Sequence, residues 1–320
     1  MKKLSIIIPH YNSAESLIKL LNSIPKIDDI QTIVVDDNSD KDLELFNKIK
    51  KNSIYSHITF IKNNSDKKGA GVCRNIGLDM AIGKWVLFAD SDDYFVEDFY
   101  TKISKYFFSD NDIIYFTPTS IEVDTGKKSD RHLLYEERID SYLKNKNLQS
   151  ELFLKYHFVV PWSKLIKRNL IVENNITFDE TLVSNDIMFS TKVGYYIKKF
   201  DVTRDIIYCV TRNKGSLTTN ISQKIFDIRF EVFIDYCKFI KLNLNKEEYY
   251  ELDLCGIVYI INALKYKLGL KTLLSTYIIL KKNKIRILGR KHTNINHIKK
   301  KISFNYNEYK NTKRYFVKHD

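Results

Sequence analysis

The sequence predicts an α/β protein, a mostly parallel sheet with helices on both faces, followed by a helical, basic C-terminal extension. Three observations predict it. Short, mostly apolar runs at 4–8, 30–35, 58–62, 85–89 and 113–117 read as strands. Segments with helical periodicity or helix-stop signals separate them, the alternation that gives a parallel sheet. Beyond about residue 225 the strand and turn signals stop, and the chain becomes rich in Lys, Tyr and Ile.

Taken in order, the first run is bounded by Pro9 and Asn12, and Ser13 is placed to cap a helix over 14–23 with Leu17, Leu20, Leu21 and Ile24 on one stripe. The second run ends in Asp36-Asp37-Asn38-Ser39-Asp40, and a helix is expected over 43–49 before the third strand. Residues 71–82 read as a helix stopped by Gly83, ahead of the fourth strand. A helix over 96–107 leads to the fifth strand. Residues 135–156 read as helical and charged, 158–165 is apolar around Pro161-Trp162, and 179–194 carries a further acidic site. The expected division is one domain over 1–222, in halves 1–117 and 118–222, and a helical basic region over 223–320.

Composition bounds the function. A chain of 320 residues with 44% hydrophobic and 28% charged residues, ten Gly and four Pro is globular, not disordered or fibrous. Cysteines at 73, 209, 237 and 255 show no metal-ligand spacing and read as reduced thiols. Met1-Lys2-Lys3 opens like a signal peptide, but the apolar run that follows is only five residues long. No stretch is long and apolar enough to span a bilayer, so a cytoplasmic protein is expected. The charge is lopsided: residues 281–320 hold thirteen Lys/Arg against Glu308 and Asp320, so +11 of the net +13 lies there. Such a tail suits an anionic surface, either lipid or nucleic acid.

In a sheet of this kind ligands sit outside the carboxyl ends of the strands. Three polar clusters fall at those ends: Tyr11-Asn12, Asp36 to Asp40, and Asp90-Ser91-Asp92-Asp93. The last packs three carboxylates into four positions. They repel one another unless a hard cation such as Mg²⁺ or Mn²⁺ joins them, and the bland alternative is a solvated turn whose Asp93 or Ser91 caps the next helix. Tyr11 offers a face for stacking a base, and Asp36 or Asp37 an acceptor for a base N–H or a ribose hydroxyl. Arg74 falls in the first turn of a predicted helix, where the macrodipole disfavours a cation unless an anion is near. Lys67 and Lys68 lie just upstream. The chain has no G-x-G-x-x-G after its first strand and no G-x-x-x-x-G-K-[ST], which removes dinucleotide-binding and P-loop schemes.

Pro9-x-Tyr11-Asn12, Val35-Asp36-Asp37-Asn38-Ser39, Gly71-x-x-Arg74-Asn75-x-Gly77 and Phe88-x-Asp90-Ser91-Asp92-Asp93 stand in order. In this the chain resembles the family 2 glycosyltransferases of the GT-A (Rossmann-like) fold, common in bacterial surface-polysaccharide synthesis, over residues 1–220. The resemblance implies a nucleotide-sugar donor, most simply a UDP-sugar, and inverting transfer to a glycan or lipid-linked glycan. It implies a nucleotide site of Pro9, Tyr11, Asn12, Asp36, Asp37, Arg74, Asp90 and Ser91. The metal, Mn²⁺ or Mg²⁺, would be held by Asp92 and Asp90. The family's general base is usually the Asp of a Glu-Asp pair. Here the segment is Ser184-Asn185-Asp186-Ile187-Met188-Phe189, so Asp186 takes that role, with Asp179 and Glu180 as competitors, and Asn185 departs from the pattern. Trp162 and Lys164 match an acceptor-side segment, with Trp162 either stacked on a sugar or part of the core. Arg212 and Ser216 match a loop over the diphosphate. Membrane contact is expected through 281–320, peripheral on the inner face, with nucleic acid the less expected partner. The competing classes are a nucleotidyltransferase, which normally carries a Gly-rich basic loop after its first strand, and a non-catalytic binding protein using its basic tail.

Overall fold

The computed structural model describes residues 2–212 and 222–290. The chain divides into two compact units, Met1–Val232 and Phe233–Asp320. The first is built on an eight-stranded sheet. Its leading half is β1 (Leu4–His10), α1 (Ala14–Asn22), β2 (Ile30–Asp36), α2 (Leu43–Lys51), β3 (Ile58–Lys62), α3 (Ala70–Asp79) and β4 (Trp85–Phe88). β1 pairs in parallel with β2 and β4, and β2 with β3, so all four strands point their carboxyl ends the same way. β1 and β4 are buried along their whole length, which is why they are continuous apolar runs.

The second half is β5 (Tyr94–Phe95), α4 (Phe99–Ser104), β6 (Ile113–Glu122), α5 (Leu133–Lys144), α6 (Leu148–His157), β7 (Lys164–Lys167), α7 (Arg168–Glu173), α8 (Ile187–Tyr196) and β8 (Phe200–Arg212). The sheet order is β3-β2-β1-β4-β7-β6-β8-β5. β7 runs antiparallel to both β4 and β6, and β5 antiparallel to β8, while β6 and β8 are parallel. The parallel character thus belongs mainly to the leading half, and beyond β4 the sheet is mixed. The second unit carries most of α9 (Gln223–Asn243), then α10 (Lys246–Leu252), α11 (Ile257–Lys265) and α12 (Gly269–Lys282). Among the described residues no helix is long and apolar enough to cross a membrane.

Several local expectations change. The expected helix over 96–107 shrinks to α4: Val96 still donates to the Ile207 carbonyl of β8 (3.1 Å), and Asp98 turns at φ 60° before the helix starts. The charged helix over 135–156 is two helices; Asn147 starts the second with a reciprocal cap to Ser150. α3 ends at Asp79, and Gly83 is not its stop. Gly83 instead passes so close to β1 that a Cβ would lie 2.4 Å from the Ser5 nitrogen. Ser13 does not cap α1 with its side chain; its Oγ meets Ser91 Oγ at 2.7 Å.

Candidate active site

The site grows from the carboxyl edge of β1, β2 and β4. Tyr11, just past β1, is 51% exposed at this edge. Asn12 adopts φ 50° and staples two loops: its amide donates to Asp40 Oδ1 (2.7 Å), and its Oδ1 accepts from the Asp40 and Lys41 nitrogens. Pro9 is buried within β1. Asp36 is engaged by His10 Nδ1 (2.9 Å) and Ser39 Oγ (2.6 Å), so it holds its own loop. His10 stacks on Phe46, and burial lowers its pKa. Asp37, also buried, accepts from Asn63 Nδ2 and from the Gly69 nitrogen, both at 2.7 Å. It therefore anchors the turn that leads into α3.

The Asp90–Asp93 turn follows β4. Asp90 Oδ1 receives Arg74 Nη2 at 2.5 Å, and the same guanidinium donates through Nη1 to Asn185 Oδ1 at 2.7 Å. Arg74 is thus the link between the β4 turn and the loop before α8; the anion predicted beside this helix start is Asp90. The Arg74 side chain is 6% exposed and lies over the Phe178 ring, while Asp90 is one-third exposed. Asp92 is exposed, yet protein atoms crowd its carboxyl within the turn. Burial there, and then the Asp90 charge, push its carboxyl upward. Asp93 is not a helix cap: it is 2% exposed and takes Tyr208 Oη (2.9 Å) and the Thr211 nitrogen (2.7 Å). Burial, Asp92 and Asp90 together raise it well above the usual carboxylate range. Tyr208 also accepts from the Asp90 nitrogen (2.8 Å), and Thr211 Oγ1 donates to the Asp92 carbonyl (2.7 Å). β8 therefore fixes the whole acidic turn. Sequence reasoning missed Tyr208 and Thr211; the signal available was a Tyr inside the apolar run 206–210, whose hydroxyl needs a partner when buried.

Asp186 stands at the start of α8. Burial raises its carboxyl, opposed chiefly by Arg74 and also by Lys164, with Asp90 adding to the rise. Of its competitors, Glu180 is paired with Lys67 at the surface. Asp179 packs against α3, its carbonyl 2.1 Å from where a Gly71 Cβ would be. Lys164 is fully buried, donating to the Phe158 carbonyl and to Ser190 Oγ (3.2 Å), and burial brings its pKa down to about 7. Trp162 takes the core alternative: it is 5% exposed and packs on Tyr135, Phe158 and Tyr208, the last ring stacked at 5.8 Å. Little of its face is left for a sugar. Arg212, at the end of β8, pairs with Asp130 (2.6 Å) and Glu122 (3.7 Å). Ser216 lies outside the described residues.

A parallel half-sheet ending in an acidic crevice, extended by a mixed half-sheet that supplies a second wall, defines the GT-A class of α/β fold. Solved structures bear out that class. The chain superposes on Staphylococcus aureus TarS 1–349 in complex with UDP-GlcNAc with TM-score 0.63 at 22% identity, covering 86% of this chain and 79% of that one. The Pyrobaculum calidifontis mannosyltransferase PcManGT in complex with GDP-Man and Mn²⁺ gives TM-score 0.54 at 15% identity, covering 87% and 74%. The glycosyl transferase family 2 profile matches residues 5–173, more than half of the chain, which therefore belongs to that family. Among relatives, the poly(ribitol-phosphate) beta-glucosyltransferase of Bacillus spizizenii is 30% identical over 212 residues, 64% of this chain. The match spans only 32% of that relative, so the chain corresponds to about a third of it.

Proposed function

We propose that the protein transfers a sugar, with inversion, from a nucleotide-diphospho-sugar to a hydroxyl of a cell-envelope glycan or lipid-linked glycan. One observation carries this reading. Arg74 ties the Asp90–Asp93 turn to the segment that presents Asp186, so the proposed donor residues and the proposed base share one hydrogen-bonded frame. The UDP-GlcNAc complex of TarS and the ribitol-phosphate acceptor of the Bacillus relative support a UDP-sugar and a surface polymer as the first substrates to try.

Tyr11, exposed beside the β1 end, would stack the base, and Asp37 would read its edge with its remaining lone pairs. Asp186 takes the proton from the acceptor hydroxyl as it attacks the anomeric carbon. Its raised pKa suits that task, since a base works best when its pKa lies nearer the working pH. Asp92 and Asp90 fit a hard divalent cation: Asp92 has no ion-pair partner among the described residues, and its neighbour's charge already disfavours its ionised form. Mg²⁺ commonly takes one or two carboxylates and completes its shell with phosphate oxygens and water. When bound, the cation would neutralise charge on the departing diphosphate. Arg74, whose two amines are held by Asp90 and Asn185, would add its positive charge to the same site.

The test is a panel of UDP-, GDP-, CMP- and dTDP-sugars with Mn²⁺, followed by nucleotide release and by equilibrium binding. Turnover with one donor, abolished by Asp92→Ala and by Asp186→Asn, is expected. If no donor binds and Asp92→Ala behaves as wild type, the reading fails. Asn185, which spends its acceptor on Arg74 where the family usually has a glutamate, favours one other reading, a donor-binding protein without turnover. Binding that survives with no release would establish it.

A further inference from the structure

We infer that the hairpin of α11 and α12 is a docking surface for an anionic lipid bilayer. A helix on a soluble body normally turns its apolar stripe inward. α12 does the reverse on one side: Leu270, Leu274, Tyr277 and Ile278, at i, i+4, i+7 and i+8, are all exposed, with Leu270 at 77% and Leu274 at 61%. Thr276 and Leu280, on the opposite side of the helix, are the buried residues. On α11 the same holds for Val258, Ile261 and Leu264, while Ala263 is the buried residue. Two neighbouring helices each presenting an outward apolar stripe leave more apolar surface uncovered than a free soluble protein usually keeps.

Charge names the occupant. Between residues 254 and 290 there is no Asp or Glu, against eight Lys/Arg. Arg286 and Arg290 are tied to Asp253. The other six, Lys265, Lys267, Lys271, Lys281, Lys282 and Lys284, are exposed. Two of them rest over tyrosine rings of the hairpin, Lys265 over Tyr266 and Lys281 over Tyr277, at 5.5 and 5.8 Å. Lysines with their stems along an apolar stripe and their ammonium groups at its rim match the boundary between acyl chains and anionic headgroups. A protein partner would be expected to meet mixed charge. At nine and fourteen residues the helices are too short to span a bilayer, so they lie on it. Of the 281–320 tail expected to meet a membrane, residues 291–320 lie outside the described set.

The test is co-sedimentation of the full-length chain with vesicles of phosphatidylcholine alone or mixed with phosphatidylglycerol. Binding to the mixed vesicles only, weakened by salt, is expected. Leu274→Ser with Ile278→Ser, both exposed, should lower partitioning on the order of tenfold or more at unchanged helical circular dichroism. Lys271→Gln with Lys281→Gln and Lys282→Gln should lower it on the order of a hundredfold, about fivefold per charge. Equal binding to neutral vesicles, no binding, or binding that both variants leave intact would overturn the inference. So would light scattering that shows a dimer dissociated by the Leu274/Ile278 variant, since the face would then belong to a second copy.

Discussion

Lys164→Met removes a buried amine whose charged form its surroundings oppose. The Lys164 amine is buried with the Phe158 carbonyl and Ser190 Oγ as partners and the rings of Phe158 and Tyr115 at 5.0 and 5.8 Å. Burial lowers its pKa to about 7, only partly opposed by Asp186. The unfolded chain keeps this lysine near its ordinary pKa of about 10.4. Between those two values the unfolded state therefore holds a proton that the folded state has released, so stability rises with pH across the window. The slope approaches about 1.4 kcal/mol per pH unit once the pH is clear of about 7. Methionine matches the length of the stem and does not titrate, so the variant loses this slope. Its lost hydrogen bonds add an offset of about 1–3 kcal/mol that does not vary with pH over this range. Urea unfolding of both proteins from about pH 6 to about pH 9 gives the difference directly, and titrations common to both cancel. Wild type should gain on the variant by about 1 kcal/mol or more between about pH 7.5 and about pH 8.5. Parallel stability profiles would refute the argument, because they would mean that Lys164 keeps its ordinary ionisation inside the fold.

The same variant should move the acidic limb of kcat/KM to higher pH, since the Lys164 charge helps keep Asp186 ionised; an unmoved limb would separate Lys164 from the base. Tyr208→Phe removes the hydroxyl shared by the Asp90 nitrogen and Asp93, and should cost about 1–3 kcal/mol in thermal or urea unfolding while lowering kcat. Arg74→Ala strands both Asp90 and Asn185; with Asp90 one-third exposed, a loss of about 2–4 kcal/mol is expected, and nucleotide affinity measured by calorimetry should fall with it. Asp92→Ala should leave stability unchanged or raise it slightly, because a carboxyl repelled by Asp90 is removed, while turnover with the preferred donor and Mn²⁺ is lost; a large destabilisation would make Asp92 structural.

How far the fold could be read from sequence tracks how local its causes are. β1, β2 and β4 were nearly legible, because a strand buried on both faces is a mostly apolar run whatever its neighbours do, and the edge strand β3, only partly buried, was legible to the residue from its β-branched and aromatic content. β5 was not, since Tyr94 and Phe95 become a strand only by pairing with Cys209 and Tyr208, more than a hundred positions away. The same distance hid the role of Asp93. An Asp just ahead of a predicted helix looks like a cap, and only the arrival of β8 turns it into the buried acceptor of Tyr208 and Thr211. Trp162 could not be assigned from its apolar setting, because a sugar platform and a core ring share that setting until the stacked Tyr208 is seen.

The site divides along the same line, and α3 shows why. Gly71, Arg74 and Asn75 lie at i, i+3 and i+4, so they share one face of the helix. Sequence reading gave Arg74 to a ligand phosphate. In the fold that whole face is occupied by the segment from Phe178 to Asn185. Asn75 pairs with the Phe178 backbone in both directions, at 3.0 and 2.8 Å. Gly71 admits the Asp179 carbonyl, which any Cβ would displace. Arg74 then closes the contact by holding Asn185 with one amine and Asp90 with the other. A glycine, a cation and an amide at this spacing therefore serve first to carry the Asp186 segment to the β4 turn. The departure at Asn185 fits the same geometry. A neutral acceptor takes one Arg74 donor without competing as a charge for the other, so Asp90 keeps its own full-strength pair. A glutamate there would compete with Asp90 for the guanidinium, which ties the identity of residue 185 to how free Asp90 is to meet a cation.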